Sequence, residues 1–192
     1  MKFETVINNA NIELKKIGIK SSMLDTEILM SKVLNKGREF IILNSDKQIK
    51  KSIQNNFKKL INERLKGKPI AYITGQKHFW KYRFDVNKNS LIPRPDTEII
   101  IDKVLKIFKN RNKLNFLDIG IGSGCLILSI LKEKKDYLGT GLDISQDCVK
   151  LTNINAHKLG LKNRLKLFKS DVDNFNLGKY DFIISNPPYI KT

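Results

Sequence analysis

The chain has 192 residues, 41% hydrophobic and 29% charged, with a net charge of +17 and two cysteines. This composition excludes a disordered polymer, a disulfide scaffold and a cysteine-built metal cluster, and no run nears the ~18 apolar residues that would cross a bilayer. The length allows one ordinary domain, or a small one joined to part of a larger one.

Thirty of the thirty-six basic residues are lysine, and asparagine and isoleucine are abundant beside them. That bias reads as an AT-rich genome acting on solvated faces, with an acidic or ribonucleoprotein partner left open. Cys125 and Cys148 read as small buried residues of a reducing cytosol. His78 and His157 have no partners at metal-ligand spacing, so no metal is expected. The amino terminus lacks a signal-type apolar core, and Glu4 and Glu13 oppose a transit peptide, so the expected location is cytoplasmic.

Taken in order, Phe3, Val6, Ile7, Ala10, Leu14 and Ile17 keep a helical period that Gly18 ends. A second helix starts at Ser21 or Ser22, carries Leu24, Ile28, Leu29 and Val33, and stops near Gly37. A third starts at Ser45 or Asp46 and runs through Ile49, Ile53, Phe57, Leu60, Ile61 and Leu65 to Gly67. Three amphipathic helices over 1–68 predict a small bundle without a catalytic constellation, read as a substrate-docking module. From 69 to 95 the pattern turns to alternation, and Phe79, Trp80, Tyr82, Phe84 and Val86 predict a β-hairpin and linker. Trp80 reads as packing in preference to binding, and Arg94 as either a structural ion pair or a site contact. Asp96 or Thr97 can accept from free N–H groups and start a helix with Ile100, Ile101, Val104, Leu105 and Phe108 on its apolar face.

The stretch 96–192 predicts an α/β unit. The strand Asn115-Phe116-Leu117 leads to Asp118-Ile119-Gly120-Ile121-Gly122-Ser123-Gly124 and an apolar helix, the first half of a nucleotide-binding βαβ unit. A dinucleotide fingerprint would want glycine at Cys125; the Asp-x-Gly-x-Gly-x-Gly form instead lets backbone approach an uncharged adenosyl ligand, with Asp118 placed to meet an ammonium. A second strand ends at Asp143, positioned to accept from both hydroxyls of a ribose. The next helix, capped by Ser145 or Asp147, carries Val149, Ile154, Ala156 and Leu159. A third strand, Leu165 to Phe168, precedes Asp171 and Val172; Asp171 either accepts from an adenine amino group beside Val172 or caps a turn. The fourth strand, Tyr180 to Ser185, breaks at Asn186-Pro187-Pro188-Tyr189, because two prolines cannot continue a ladder. The Asn186 side-chain oxygen and the Pro187 carbonyl can hold the two N–H bonds of a planar nitrogen nucleophile while Tyr189 lies flat on it; a plain strand-ending turn is the other reading.

Together these residues resemble the HemK/PrmC family, class I S-adenosylmethionine-dependent methyltransferases that modify the side-chain amide nitrogen of glutamine in the Gly-Gly-Gln loop of peptide chain release factors. The resemblance covers the whole chain through Tyr72-Ile73-Thr74-Gly75 with Phe79-Trp80, Leu91 to Glu98, Asp118 to Gly124, Gly141 to Ser145, and Asn186 to Ile190. It implies an α/β fold: a small amino-terminal helical bundle and β-hairpin linker, then a partial class I (Rossmann-like) domain with S-adenosyl-L-methionine as cofactor. It implies cofactor contacts from Asp118, Gly120, Ile121, Gly122, Ser123, Gly124, Asp143, Asp171, Val172 and Asn186. Asn186, Pro187, Pro188 and Tyr189 would bind the substrate amide, with Asn186, Pro187 and Tyr189 as the catalytic set. Many relatives carry tryptophan or another bulky residue where Val172 stands. The implied reaction is in-line attack of the amide nitrogen on a sulfonium methyl, which needs alignment more than a strong base.

Relatives continue beyond the Asn-Pro-Pro-Tyr turn to a seven-stranded sheet of order 3-2-1-4-5-7-6, whereas four strands are counted here, with the fourth expected as an open edge. The chain therefore reads as a fragment or truncated product with weak or no turnover alone. The implied partner is a release factor; a monomer is expected, with no membrane, and nucleic acid is not required although proximity to the ribosome or RNA stays open. The rival readings are a nucleic-acid adenine-N6 methyltransferase and a non-catalytic cofactor-binding remnant.

Overall fold

The structure, a computed structural model, describes residues 1–187 and divides into two compact units, Met1–Thr74 and Gly75–Thr192. The hairpin therefore belongs to the second unit and the stretch after Pro69 to the first.

The first unit holds α1 (Phe3–Lys16), α2 (Ser22–Leu34), α3 (Arg38–Leu43), α4 (Lys51–Leu65) and α5 (Ile70–Thr74). Five helices replace the three expected. The difference has a local cause at residues 45–49, where helix was expected. The carbonyls of Ser45 and Lys47 accept from Glu4 and Phe3 N–H, both at 3.0 Å, and Ile49 N–H donates to Met1 O at 3.0 Å. This segment satisfies the orphan donors at the start of α1 with backbone, which no side-chain cap does there, and so cannot itself be helical. The core gathers Leu14, Leu29, Met30, Phe57 and Ile61, all at most 2% exposed. Truncating such a leucine to alanine costs roughly 2–5 kcal/mol. On α2 the buried face is Ser22, Asp25, Thr26, Leu29 and Met30, while the apolar Leu24 is exposed. Asp25 is tolerated there because Arg64 Nε donates to it at 2.7 Å, and a buried carboxylate requires such a partner.

The second unit begins with the hairpin β1 (Gln76–Phe79) and β2 (Tyr82–Asp85). The turn residue Trp80 has φ of 53°, and its indole packs against the core while Nε1 donates to Glu133 at 2.9 Å. Tyr82 and Lys81 donate to the same carboxylate, whose pKa these bonds lower against the cost of burial. Trp80 is thus a packing residue.

Then come α6 (Glu98–Ile107), β3 (Asn115–Ile119), α7 (Cys125–Glu133), β4 (Leu138–Asp143), α8 (Gln146–Lys158), β5 (Leu165–Lys169) and β6 (Phe182–Ser185). The four strands are parallel in the order β5-β4-β3-β6. Steps β3-α7-β4 and β4-α8-β5 move the same way across the sheet, so right-handed crossovers place both helices on one face. The glycines of β4 let the 120–124 loop and α7 close down: a Cβ at Gly141 would meet Ile121 Cγ2 at 2.8 Å, and one at Gly139 would meet Ile127 at 3.0 Å. Phe182 of β6 stacks on Phe116 with centroids 4.9 Å apart and on Phe108 at 4.5 Å, while its neighbour Ile183, pointing to the other face, is exposed. Among the described residues β6 is the outer strand, the open edge that the sequence implies. No helix among them is long and apolar enough to cross a membrane.

On α8 the buried residues are Cys148, Leu151, Thr152, Asn155 and Ala156, whereas Ile154 is 47% exposed, so the expected apolar face is rotated. Admitting small polar residues to the pattern at i, i+3 and i+4 would have found it.

Candidate active site

The strand registers bring the expected residues to one end of the sheet. Ile119 pairs with Ser185, so Gly120 and Asn186 leave adjacent parallel strands side by side, about 5 Å apart by sheet geometry. On the other flank Ile119 pairs with Leu142, which sets Asp143 beside Gly120, and Asp143 pairs with Lys169, two residues before Asp171. Ser185 Oγ ties the β3 and β6 ends together by donating to Ile119 O at 2.9 Å.

Gly120, Gly122 and Gly124 all have positive φ, at 75°, 55° and 77°. Three left-handed residues in five make a loop that side chains would strain. At Gly120 and Gly122 a Cβ would meet nothing within 4 Å, so bare backbone borders open space. At Gly124 a Cβ would strike Thr152 at 2.6 Å. Two α8 residues unnoticed in the sequence brace the loop: Thr152 Oγ1 donates to Gly122 O at 3.2 Å, and Asn155 Nδ2 donates to Ser123 O at 2.8 Å. Ile121 and Ser123 are buried within the loop.

Asp118 is 1% exposed and Oδ2 has no hydrogen-bond partner among the described residues. Burial pushes its pKa up to about 8; the Ile127 N–H at the start of α7 opposes the rise and the Asp143 charge adds to it. Asp143 accepts from Gly122 N–H at 3.0 Å through Oδ2 and from Ser145 N–H at 2.9 Å through Oδ1, so it shapes the loop while each oxygen keeps a further lone pair. Asp171 is exposed, and its Oδ1 caps a short turn by accepting from Asp173 N–H at 3.2 Å. Val172 is 46% exposed, and Ile144, directly after Asp143, is 71% exposed.

Thr97 does not cap α6 through its side chain. A single 3-10 turn over Pro95–Thr97 starts the helix instead, and Thr97 Oγ1 accepts from Asn186 Nδ2 at 3.0 Å. That bond spans 89 positions in sequence and orients the Asn186 amide with Oδ1 turned to other partners. Pro187 is exposed. Pro188 and Tyr189 lie outside the described residues. Burial pushes the Cys125 thiol up to about 12 and raises that of Cys148, so neither is a nucleophile at neutral pH. Among the described residues no group of three or more His, Cys, Asp or Glu could hold a metal.

A parallel sheet with a glycine loop after its first strand and an acid ending its second defines the Rossmann-like class of methyltransferase domains, and residues 98–192 match the methyltransferase small domain family. Residues 5–75 match the PrmC N-terminal domain. Over its whole length the chain is 37% identical to a release factor glutamine methyltransferase of Clostridium acetobutylicum, covering 68% of that protein. It is 38% identical over 97% of its length to one of Leptospira interrogans, covering 66%. It is also 38% identical, over 96% of its length, to a bifunctional methyltransferase of Rickettsia typhi, of which it spans 39%. The chain belongs to the HemK/PrmC family of release factor glutamine methyltransferases. It spans about two fifths of the bifunctional relatives and about two thirds of the release factor enzymes it matches.

Proposed function

We propose that this chain carries the cofactor-binding half of a methyltransferase that transfers a methyl group from S-adenosylmethionine to the side-chain amide nitrogen of a release factor glutamine, in the cytoplasm. The supporting observation is the side-by-side departure of Gly120 and Asn186 from β3 and β6, with the Asn186 amide turned by Thr97. The residues present fit the cofactor. Open backbone at Gly120 and Gly122 can border an adenosyl group, Asp143 retains lone pairs for ribose hydroxyls, and the orphaned Asp118 oxygen suits an ammonium. Ile144, Val172 and Asp171 supply two apolar surfaces and an acceptor for a purine bearing an amino group.

Bound S-adenosylmethionine supplies an electrophilic methyl on a positive sulfonium. The chain aligns the nucleophile. Asn186 Oδ1 and the Pro187 carbonyl each accept one amide N–H, which fixes the nitrogen plane and favours the charge that develops on attack. Thr97 is a positioning residue, because a rotated Asn186 would present donors where acceptors are needed. The amino-terminal unit is the docking module for the protein substrate.

The test offers labelled cofactor with release factor, DNA and RNA in parallel. Label in the release factor, lost when its Gly-Gly-Gln glutamine becomes alanine, supports the assignment. Label in nucleic acid instead, or a melting temperature unmoved by millimolar S-adenosylhomocysteine, overturns it.

A further inference from the structure

The opposite end of the same sheet has its own chemistry. The loops that lead into the four parallel strands, 108–114, 134–137, 159–164 and 176–181, open on that end; the first three are bonded to one another, and the fourth is tied through Asp181 to Asn115 at the start of β3. Lys134 Nζ donates to Phe108 O and Lys109 O, both at 3.1 Å. Arg164 reaches across to Leu131 O at 2.7 Å, Lys134 O at 2.8 Å and Tyr137 O at 3.2 Å. The two acids of this end are engaged with backbone: Asp136 accepts from Lys113 N–H at 2.8 Å, and Asp181 from Asn115 N–H at 2.7 Å.

Both acids are themselves exposed, but exposed cations outnumber them. Lys109, Arg111, Lys113, Lys135, Lys162 and Lys179 are all exposed, and among the described residues none of them forms an ion pair. Lysine abundance alone does not produce this. The loops leaving β3, β4 and β5, 120–124, 144–145 and 170–174, contain no lysine or arginine and carry Asp171 and Asp173. Three of the exit loops therefore lack the positive charge that the entry loops carry.

We propose that this pole, carrying Lys109, Arg111, Lys113, Lys135, Lys162 and Lys179, docks the phosphodiester backbone of a folded nucleic acid. Cations spread over four loops, three of them braced against one another, suit a ligand with regularly repeated charge. Between them stand Asn110, Asn112 and Asn163, which donate to phosphate and sugar oxygens. The runs Lys109 to Lys113 and Lys162 to Arg164 hold no apolar side chain, and the exposed apolar residues of this end, Leu138 and Leu177, lie at the neighbouring cavity, apart from those runs. An open cavity of about 570 Å³ adjoins, lined in part by Asn115, Asn163, Lys166, Lys179 and Tyr180, with room for one unstacked base. This surface lies at the far end of the strands from Gly120 and Asn186, so it stands or falls independently of the cofactor reading.

The experiment measures fluorescence anisotropy of a labelled RNA hairpin and a DNA duplex against the 192-residue chain in rising KCl. The expected binding weakens steeply with salt, and the tighter of the two acids names the source. The triple variant Lys109→Glu, Lys113→Glu, Lys162→Glu should lose at least tenfold in affinity and about 2–3 units of log–log salt slope. The triple variant Lys15→Glu, Lys16→Glu, Lys20→Glu, with the same change of net charge on α1 and the segment after it, should lose less than threefold. Glutamine at 109, 113 and 162 gives the same ranking should the glutamates disturb folding, which the melting temperature reports. Equal losses from both triples, or anionic phosphatidylserine vesicles bound as tightly as either nucleic acid, overturn the proposal.

Discussion

The two ends of the parallel sheet are built by opposite rules. Where strands begin, polar groups reach for backbone: Arg164, Lys134, Tyr137, Asp136 and Asp181 each hold a loop in place. Where strands end, three left-handed glycines fall within five residues, and one oxygen of the buried Asp118 carboxylate has no partner among the described residues. An unmet buried polar group persists where a ligand can satisfy it. The first end is braced from within and meets solvent with surface charge, while the second is prepared to enclose a small ligand.

Exchange of function between the ends should therefore fail, and the largest effect is expected at Arg164. Arg164→Ala removes a charged group from three carbonyls and should cost roughly 2–4 kcal/mol of stability by urea denaturation. Affinity for S-adenosylhomocysteine in titration calorimetry should stay unchanged. A large affinity loss at matched foldedness would break the division.

Asp118→Asn should reverse the pattern, with affinity for S-adenosylhomocysteine falling about tenfold to thirtyfold while the fold survives. The sign of its pH dependence follows from the raised pKa. In the ligand-free chain Asp118 holds a proton up to about pH 8, whereas unfolded it releases that proton near 3.8. Its contribution to stability is thus full below the unfolded value and is lost as pH rises towards 8, at up to ~1.4 kcal/mol per pH unit. Melting curves of the Asn variant should lack this slope. Affinity of the parent chain for a ligand with an ammonium should rise from pH 6 to 8, because binding expels the Asp118 proton.

Thr97→Val should slow methyl transfer about tenfold, with cofactor affinity kept and Thr97→Ser restoring most of the rate. A fall in cofactor affinity instead would make Thr97 a support of the glycine loop. The smallest effect belongs to Val172→Trp, where extra apolar area beside a purine should tighten S-adenosylhomocysteine about twofold to fivefold.

The sequence made the sheet end legible because its signals are local. Glycine spacing at 120, 122 and 124, an acid closing the apolar run at Asp143, and prolines stopping β6 each follow from a few consecutive residues. The amino-terminal unit was harder. The 45–49 segment looks helical until its carbonyls are seen to serve Phe3 and Glu4 more than 40 residues away. Distance also hid the partner of Thr97, and Thr152 and Asn155 escaped notice because an apolar pattern discounts polar residues on a buried face. In each case the deciding interaction joins residues far apart along the chain.

Asn155 has one more effect. Its amide accepts from Asp85 N–H at 2.8 Å, donates to Asp85 O at 3.0 Å and donates to Ser123 O, so a single side chain clamps the end of the hairpin to the glycine loop. Anything that stiffens that loop must also slow the opening of β2. The Asp85 amide becomes a native reporter whose deuterium uptake should fall when the loop is filled.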